Sequence, residues 1–241
     1  MSIAKNVLVI GANSDVAKQC IINYIVQGFY VTAASRNLIE LNQFITDNKL
    51  DNTRVQTRFF DVTAFQSHQD FYDSIIKPEI VVYAAGFLED NIKALGNWKN
   101  TYQMMNVHYC GAVSIINIIV NDTSSNNLER IIGLSSLSGV RGRKSNFIYG
   151  SSKAAFTQYL AGLRQYLFQR NVVVNVIIAG YIRSKMTTGL HLNESLMLEP
   201  SFIAKHVTIP SKKFIIVPGF KWKCIYFLLR ILPESVVAKL P

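Results

Sequence analysis

The sequence predicts an α/β fold of one domain over residues 1–241, a doubly wound parallel sheet with helices on both faces. Short apolar runs rich in Val and Ile, typical of strands buried on both faces, alternate with longer segments of helical periodicity. The 241 residues are 49% hydrophobic, which is enough for a substantial core. Because no repeat, low-complexity tract or long linker divides the chain, we expect a single domain.

The first predicted elements are a strand, a turn and a helix. The pattern indicates a buried strand over residues 5–10, a tight turn over 11–15, and a helix over 16–26 that Gly28 closes. A strand that runs through a glycine turn into a helix directs free N–H groups and a positive dipole at an anion. Such an arrangement holds the pyrophosphate of a dinucleotide.

The second strand is predicted over residues 28–34 and is followed by Arg36. An acidic residue at this point would hydrogen-bond a ribose 2′-hydroxyl, whereas the planar guanidinium of Arg36 suits a 2′-phosphate. We therefore expect NADPH in preference to NADH. A solvated surface arginine is the alternative.

A phenol and an ammonium group stand one helical turn apart further along the chain. Tyr149 and Lys153 are separated by four residues, and the following residues up to 167 continue as a helix, so both side chains share one face. A fixed cation stabilises a phenolate, and we expect Lys153 to lower the pKa of Tyr149 towards working pH for acid or base catalysis. Such pairs also occur on ordinary amphipathic helices.

Two upstream residues favour the catalytic interpretation. Ser136 follows the apolar run 131–134, where a hydroxyl at the end of a buried strand could hydrogen-bond a substrate carbonyl. Its alternative role is to cap its own loop. Asn106 is either a residue that caps or bends a helix or a catalytic residue.

These features together resemble the short-chain dehydrogenase/reductase family over roughly residues 7–186. The resemblance implies a Rossmann-type fold and hydride transfer between nicotinamide and a carbonyl carbon. It also implies a catalytic tetrad consisting of Asn106, Ser136, Tyr149 and Lys153. The cofactor-binding residues that it implies are Gly11, Asn13, Ser14, Asp15, Arg36, Asp61, Ala84, Ala85, Gly86, Tyr149, Lys153, Ala179, Gly180, Ile182 and Ser184. Among these, Asp61 would contact adenine, and Ile182 and Ser184 the nicotinamide carboxamide.

The chain departs from the family pattern at several cofactor positions. The second and third glycines of the usual Gly-x-x-x-Gly-x-Gly turn are replaced by Asp15 and Ala17, and Tyr83 and Ala84 stand where the family has two asparagines. Ala179 replaces a proline. Because the tetrad is complete, we expect these changes to affect cofactor affinity more than the reaction.

Four segments indicate a narrower resemblance. Residues 11–17, 136–149, 160–164 and 186–188 are similar to the decaprenylphosphoryl 2-keto-ribose reductases and related cell-envelope sugar reductases. This implies NADPH-dependent reduction of a ketone on a sugar-containing, phosphorylated or polyprenyl-linked precursor. A 3-oxoacyl thioester reductase that meets an acyl carrier protein, and a non-catalytic dinucleotide-binding interaction module, are the alternatives.

The charge is strongly positive and concentrated near the C-terminus. The net charge is +10, and residues 201–241 carry seven basic side chains against Glu234, or +6. Within the basic amphipathic extension 216–241, the segment 221–232 places Trp222, Ile225, Leu229 and Leu232 on one stripe opposite Lys223 and Arg230. The segment is too short to span a bilayer and either lies on a membrane surface or packs against the core or a partner subunit. No motif indicates nucleic-acid binding.

Three further predictions concern the substrate phosphate, the substrate lid and the oligomeric state. Arg141, Arg143 and Lys144 are candidates for a substrate phosphate, with a solvated loop or a partner contact as the alternative. Residues 187–215 are predicted to form a substrate lid, with His191 on its surface, and residues 121–127 to form a loop. The resemblance implies a homodimer or homotetramer that forms through the Tyr149 helix.

The chain contains three cysteines and four histidines. Cys20, Cys110 and Cys224 are predicted to be buried free thiols, and the four histidines show no metal-ligand spacing, so we expect no metal. No signal peptide is predicted at the start of the sequence. We therefore expect a cytoplasmic protein. Peripheral contact with the inner face of the cytoplasmic membrane is the alternative that the basic C-terminal segment suggests.

Overall fold

The computed structural model describes residues 5–123 and 127–239 and contains one parallel sheet. The strands are β1 (Asn6–Ile10), β2 (Tyr30–Ser35), β3 (Val55–Phe59), β4 (Ile80–Tyr83), β5 (Arg130–Ser136), β6 (Val173–Ala179) and β7 (Ile215–Ile216). Their order across the sheet is β3-β2-β1-β4-β5-β6-β7. Residues 1–4 and 240–241, and residues 124–126 of the predicted loop, lie outside the described residues.

Helices cover both faces of this sheet, which confirms the predicted Rossmann-type α/β fold of one domain. They are α1 (Asp15–Val26), α2 (Leu38–Asp47), α3 (His68–Asp73), α4 (Asn91–Gly96), α5 (Trp98–Met105), α6 (Gly111–Asn121), α7 (Phe147–Tyr166), α8 (Pro200–Thr208), α9 (Phe220–Ile231) and α10 (Glu234–Val237). A π-helical turn, Asn106–Cys110, joins α5 to α6.

The strand order reverses between β1 and β4, which are paired through Ile10 and Tyr83. On its other side β1 pairs with β2. The chain therefore runs from β1 towards one edge of the sheet through β2 and β3, and from β4 towards the opposite edge through β5, β6 and β7. In open parallel sheets a crevice forms at such a switch point, beyond the carboxyl ends of the strands. The candidate site lies there.

Alternation along the strands divides the core into two layers. Leu8 and Ile10 of β1 belong to one apolar cluster, which also contains buried residues of α6, α7 and α9. Val7 and Val9 point to the opposite cluster, which contains buried residues of α1, α2 and α8. Because successive strand residues face opposite sides of a sheet, the continuous apolar run of β1 fills both layers.

Helix α8 lies within the predicted lid region 187–215 and belongs to the second core layer. Its residues Ile203, Ala204 and Val207 are fully buried and pack in the same cluster as α1. Residues 187–198, which contain turns and the exposed His191, form the part of this region that lies on the surface. A lid function therefore remains a prediction for residues 187–198.

The helical stretch from Trp98 to Asn121 is long and apolar enough to cross a membrane by length and composition alone. Its mean hydropathy is 1.2, and 56% of the apolar window is buried inside the protein. Ile115, Ile116 and Ile119 are fully buried in the first core layer. This burial is typical of a core helix in a globular domain.

Helix α9 decides between the two alternatives for the C-terminal stripe. Trp222 and Leu229 are only 4% and 6% exposed, and Ile225 packs against the same core cluster. Of the two alternatives for this stripe, the structure therefore supports packing against the core. Periodicity identified these residues as one face, but it contained no information about what that face contacts.

Arg141 fastens the end of α9 to the domain. Its Nε donates to the Leu229 carbonyl at 2.9 Å, and its other nitrogens donate to the Leu232 carbonyl at 3.2 Å and to the Glu234 carboxylate at 2.9 Å. These bonds satisfy carbonyls at the C-terminus of the helix, where a positive charge is also favourable. The expectation that Arg141 binds a substrate phosphate is therefore wrong, because its guanidinium already binds these carbonyls and the Glu234 carboxylate.

Candidate functional site

A cleft of about 330 Å³ lies at the carboxyl ends of the central strands. Most of the predicted site residues line it, namely Gly11, Asn13, Ser14, Asp15, Arg36, Ala84, Ala85, Gly86, Tyr149, Lys153, Ala179, Ile182 and Ser184. Four others lie beside the cleft rather than in its lining, namely Asp61, Asn106, Ser136 and Gly180. The sequence motifs thus converge on one place.

The turn after β1 can form only because residue 11 is glycine. Gly11 has a φ of +77°, and a Cβ added there would lie 2.4 Å from the backbone nitrogen of Ala85. The turn therefore adopts a left-handed conformation and lies in close contact with the chain that follows β4. Ser14 then caps α1 by accepting a hydrogen bond from the Ala17 N–H at 3.1 Å.

Asp15, which replaces a family glycine, is held by the chain after β6. Its carboxylate accepts a hydrogen bond from the Lys185 backbone N–H at 2.7 Å, and the Lys185 ammonium pairs with Glu40. Lys185 itself lines the cleft. The carboxylate is thus satisfied at a favourable helix N-terminus, and a cation that the sequence analysis did not identify stands next to it.

A second departure from the family pattern, Tyr83, contacts the π-helical turn. Tyr83 is fully buried at the end of β4, and its hydroxyl donates a hydrogen bond to the Val107 carbonyl at 2.5 Å. Ala84, Ala85 and Gly86 follow as small residues along the cleft. The tyrosine therefore joins this edge of the cleft to the segment that contains Asn106.

The end of the cleft near β2 contains Arg36 and a network around Asn13. The Asn13 amide nitrogen donates to the Ser35 hydroxyl at 2.9 Å and to the Asn37 carbonyl at 2.7 Å. Among the described residues, the buried Asn13 Oδ1 has no hydrogen-bond partner, and no carboxylate pairs with Arg36. This end of the cleft therefore offers a free acceptor and a free cation.

Asp61 lies between two residues of the cleft wall, Phe60 and Val62. Its Oδ1 accepts hydrogen bonds from the N–H and hydroxyl of Thr63, at 2.9 and 2.8 Å. The carboxylate therefore stabilises the turn after β3. Contact between Asp61 and adenine remains a prediction.

The end of β5 and helix α7 bring Ser136, Tyr149 and Lys153 together. A hydrogen bond joins the Ser136 and Tyr149 side chains. The Lys153 ammonium is 5.9 Å from the centre of the Tyr149 ring and donates to the Leu134 carbonyl at 3.0 Å. Three of the four predicted tetrad residues thus form one cluster at the deep end of the cleft.

The electrostatics of this cluster differ from the prediction. Burial raises the pKa of Tyr149 to about 12, an effect that the hydrogen bond with Ser136 partly offsets. Burial also lowers the pKa of Lys153 to about 8. The expectation that the pKa of Tyr149 lies near working pH is therefore wrong for this arrangement, because desolvation of the phenolate is the largest effect. At neutral pH the cluster holds a neutral phenol beside a cationic amine.

Asn106 begins the π-helical turn and is 7% exposed. Its backbone carbonyl accepts a hydrogen bond from the Gly111 N–H, the first residue of α6. Single π-helical turns inside longer helices are frequent at functional sites. The turn places Asn106 near the cleft, since the adjacent Val107 lines it, whereas its catalytic role remains a prediction.

His108 is a residue of the site that sequence reasoning missed. Its Nε2 accepts a hydrogen bond from the Phe87 N–H at 3.0 Å, so in the neutral ring the proton is on Nδ1. That proton is directed to the Ser152 hydroxyl at 2.8 Å, which in turn donates to the Tyr149 carbonyl at 2.7 Å. Burial, and then the charge of Lys153, hold the pKa of His108 well below its ordinary value.

This chain of hydrogen bonds connects the cofactor side of the cleft with the helix that carries Tyr149. The His108 ring also meets the Tyr149 ring edge to face, with the centroids 5.0 Å apart. Its position two residues after Asn106 was the available signal. A histidine on a helix carries no motif of its own, so only its contacts identify it as a residue that orients Tyr149.

The loop after β6 contributes Ala179, Ile182 and Ser184 to the cleft, whereas Gly180 serves a different contact. A Cβ on Gly180 would lie 2.0 Å from the Trp222 ring, so α9 packs directly on this loop. Met186, which also lines the cleft, reaches across to Gly86, where an added Cβ would lie 2.9 Å from its methyl group. Gly180 therefore holds the loop against α9 rather than forming the cleft wall.

The described part of the chain contains three cysteines and four histidines. No group of three or more His, Cys, Asp or Glu side chains there could hold a metal ion. The three thiols are free, but only Cys20 is buried, whereas Cys110 is partly exposed and Cys224 is exposed. The prediction of three buried thiols is therefore wrong for Cys224, because it lies on the outward side of α9.

The residues present suit a nicotinamide dinucleotide. The close backbone approach at Gly11 leaves no side chain over the start of α1, and the partnerless Asn13 oxygen stands where a sugar hydroxyl could donate to it. Within the described residues Arg36 adds a cation without a carboxylate partner along the same wall, whereas the Lys185 ammonium is paired with Glu40. These features match the polar and anionic parts of such a molecule.

Comparison with known proteins agrees with this geometry. The sequence matches the short chain dehydrogenase family over residues 5–195. An uncharacterized oxidoreductase of Mycobacterium tuberculosis is 23% identical over 246 aligned residues, which cover 99% of this chain and 98% of that protein. An uncharacterized oxidoreductase of Staphylococcus epidermidis is 27% identical over 207 residues, which cover 84% and 89% respectively.

A solved structure shares the fold. A short chain dehydrogenase from Burkholderia cenocepacia, in complex with NADP, superimposes with a TM-score of 0.81 at 17% identity, covering 97% of this chain and 95% of that chain. At this identity the likeness shows the architecture alone. The match of the family itself extends over most of the sequence, from β1 to the loop before α8. The chain therefore belongs to the short chain dehydrogenase family and is an oxidoreductase of that family.

Proposed function

We propose that the protein is an NADPH-dependent reductase of a ketone on a sugar-containing cell-envelope precursor that is phosphorylated or linked to a polyprenyl chain. The observation that carries the carbonyl chemistry is the cluster of Ser136, Tyr149 and Lys153, which places a hydroxyl, a phenol and an ammonium group together. With a pKa of about 12, Tyr149 is protonated at neutral pH, and with a pKa of about 8, Lys153 is charged. The protonated phenol can therefore act as the acid, and the neighbouring cation favours the phenolate that it leaves.

The mechanism assigns one task to each residue of this cluster. Bound NADPH would supply a hydride for the carbonyl carbon. Tyr149 gives its phenolic proton to the carbonyl oxygen, and Ser136 donates a hydrogen bond that polarises the same oxygen. Lys153 stabilises the phenolate that remains and binds the nicotinamide ribose. Asn106 holds a water link through which a proton from solvent restores the phenol.

The preference for NADPH rests on Arg36. No acidic residue stands at the end of β2, and within the described residues Arg36 has no carboxylate partner. A 2′-phosphate would provide the anionic partner that the guanidinium lacks. The adjacent Asn13 amide already fixes the turn, so Arg36 is available for the ligand.

Charge near the substrate side supports an anionic substrate. Arg141 is committed to α9, but Arg143 donates one bond to the Ser138 hydroxyl at 3.2 Å and keeps its Nε without a partner among the described residues. Lys144 next to it is exposed. Both lie in the loop between Ser136 and Tyr149, and they are our candidates for a substrate phosphate.

An exposed apolar stripe supports assembly as a homodimer or homotetramer. Trp98, Tyr102, Met105 and Tyr109 recur at helical spacing along α5 and the π-helical turn, and all four are exposed. Phe147, at the start of α7, is exposed as well. A self-complementary contact over this face would cover these side chains and bring two Tyr149 helices together.

The experiment that tests this function compares substrates. NADPH oxidation is followed with a polyprenylphosphoryl keto-pentose, a soluble keto-sugar phosphate and a 3-oxoacyl thioester, with the product identified in each case. The proposal expects kcat/KM at least tenfold higher for a keto-sugar than for the thioester. A preference for the thioester would favour the acyl carrier reductase, and no reduction of any ketone would favour a non-catalytic binding module.

We also propose that the enzyme works in the cytoplasm, at the inner face of the cytoplasmic membrane. A polyprenyl-linked substrate is confined to the bilayer, so an enzyme that reduces it gains from contact with the lipid surface. The excess of +6 in residues 201–241 supports attraction to anionic lipids.

A further inference from the structure

The outward side of α9 is apolar and unpartnered. Phe220, Cys224, Phe227, Leu228 and Ile231, which we call the outer face, are all exposed, with Phe220 at 80%, Phe227 at 64% and Ile231 at 59%. At about 100° per residue these five positions fall within an arc of about 100°. The outer face is therefore a second apolar stripe on the same helix, distinct from the buried one.

Basic side chains flank this stripe on both sides. By the same helical geometry Lys221 lies at one border, whereas Lys223 and Arg230 lie at the other. On that second border, α9 forms a groove of about 700 Å³ with the edge strand β7 and the end of α8, and Lys205 and Lys213 line it together with Lys223 and Arg230. An apolar stripe bordered by cations is the pattern of a helix that lies in a lipid interface.

These cations are available for a ligand. Within residues 5–123 and 127–239, none of the four groove cations forms an ion pair with a carboxylate. Glu234, the only acidic side chain in residues 201–241, is bound to Arg141 at 2.9 Å. The groove therefore keeps four uncompensated positive charges next to the apolar outer face.

The outer face is fixed before any partner arrives. The Trp222 Nε1 donates to the Leu196 carbonyl at 2.8 Å, and its ring packs edge to face against Tyr181 with the centroids 5.0 Å apart. With Leu229 also buried and Arg141 bound to the helix end, α9 cannot rotate to hide its outer face. Binding through this face therefore costs little ordering entropy.

We propose that the outer face of α9 lies in the interface of an anionic bilayer, while the groove cations bind lipid phosphates. This deepens the membrane contact included in the proposed function, and it rests on that function only for its biological purpose. The apolar side chains would enter the boundary between headgroups and acyl chains, by about 5–10 Å. The 12 residues of α9 extend about 18 Å, too short to span the bilayer core.

Charge favours a lipid surface over a second copy of the chain. In a two-fold symmetric contact the same patch faces itself, which would bring the cations around Lys223 and Arg230 of both copies together. Like charges placed against each other in an interface are costly. Anionic lipid headgroups instead provide opposite charge next to an apolar phase, which matches both parts of this surface.

The experiment measures sedimentation of the full chain with vesicles of phosphatidylcholine, alone or mixed with phosphatidylglycerol. We expect binding only to the mixed vesicles and a loss of binding as salt is raised. The double variant Phe227→Ser and Leu228→Ser should weaken binding at least tenfold, since two apolar side chains no longer enter the lipid. The matched control is Phe168→Ser, which removes a phenylalanine that is 77% exposed in the turn after α7 and should bind as the parent does.

Charge is tested in the same way. Lys223→Gln combined with Arg230→Gln should weaken binding roughly 30-fold at low salt, about fivefold for each charge. Lys93→Gln combined with Lys99→Gln removes the same net charge from α4 and α5 and should leave binding unchanged. Thermal unfolding of each variant establishes that the loss is not due to a damaged fold.

Several outcomes would overturn the proposal. These are equal binding to both kinds of vesicle, equal losses in variants and controls, or a halved molecular mass after Phe227→Ser and Leu228→Ser with sedimentation unchanged, which would assign the face to a second copy. Reduction of a soluble ketone is measured in the same samples. Vesicle binding without keto-sugar reduction would contradict the proposed function alone, and keto-sugar reduction without vesicle binding would contradict this inference alone.

Discussion

The cluster at the end of β5 and helix α9 distribute polar and apolar groups in opposite ways. At the cluster, polar groups are buried and satisfied: Ser135 bonds the Lys153 carbonyl at 3.2 Å and Thr157 at 2.7 Å, and Lys153 bonds Leu134. On α9, apolar side chains such as Phe220 and Phe227 remain exposed. Buried polar groups of this kind are typical of sites of chemistry, whereas a group of exposed apolar side chains is typical of a surface that binds a partner.

The two regions also meet physically. Trp222 of α9 packs on Gly180, in the loop that supplies Ile182 and Ser184 to the cleft. The inner side of α9 thus supports the cofactor wall, while its outer face remains free. Substitutions on the two sides of this one helix should therefore have very different consequences.

The largest effect is expected on the inner side of α9. Trp222→Ala should lower the free energy of unfolding by about 3–5 kcal/mol, because it empties a packed site and removes the bond to the Leu196 carbonyl. Urea unfolding at fixed protein concentration measures this change. Phe227→Ala on the outer face is the matched control and should stay within about 0.5 kcal/mol of the parent. Equal losses would show that both sides of α9 are buried in the native assembly.

The next effect concerns the buried polar cluster. Tyr149→Phe keeps the ring and removes the transferable proton, so kcat should fall by at least ~100-fold. Fluorescence titration should show NADPH binding nearly unchanged, and the melting temperature should remain close to that of the parent. Near-normal turnover would assign the proton transfer to another group. The cluster would then no longer differ from α9 by having a catalytic role.

A smaller effect is expected at the other end of the cleft. Arg36→Ala should weaken NADPH binding by about 1.5–3 kcal/mol, the range for a hydrogen bond to a charged group, and should change NADH binding little. Isothermal titration with both cofactors separates the two cases. Equal losses, or a parent enzyme that prefers NADH, would reduce Arg36 to a surface charge.

The pH dependence should show a single limb that follows Lys153. The charged form of a lysine is its acid form, so with a pKa of about 8 the charge is present below that pH and is lost above it. The kcat/KM for reduction should therefore be flat on the acid side and fall above pH of about 8, by up to about tenfold per pH unit. Lys153→Arg keeps its charge and should lack this fall.

His108 adds a second check to the same profile. Because its pKa lies well below the ordinary value, no further limb should appear around neutral pH. A limb at mildly acidic pH that disappears in His108→Asn would contradict the neutral, Nδ1-protonated histidine inferred from its contacts.

The cleft could be predicted because its signals are local and its geometry is imposed by the sheet. Strand, glycine turn and helix follow one another in sequence, and parallel strands deliver their carboxyl ends to one edge. The spacing of Tyr149 and Lys153 on one helix needs no tertiary information. Fold, cleft and most of its lining follow from such features.

Other properties depend on packing and could not be predicted. The pKa of Tyr149 is governed by burial, which sequence does not show. Gly180 contacts Trp222 from a distant helix, and Arg141 reaches the end of that same helix. Helix α9 carries apolar residues over most of its circumference, so periodicity alone could not decide which stripe faces the core. His108 gains its role only through Phe87 and Ser152.

The most direct test of the central claim follows the hydride. NADPH labelled with deuterium at C4 of the nicotinamide, in the position that is transferred, is incubated with the enzyme and a keto-sugar, and the product is analysed by mass spectrometry and NMR. We predict one deuterium on the new carbinol carbon with the parent enzyme and almost none in the same time with Tyr149→Phe. NADPH binding without deuterium transfer to any ketone, or undiminished transfer by Tyr149→Phe, would contradict it.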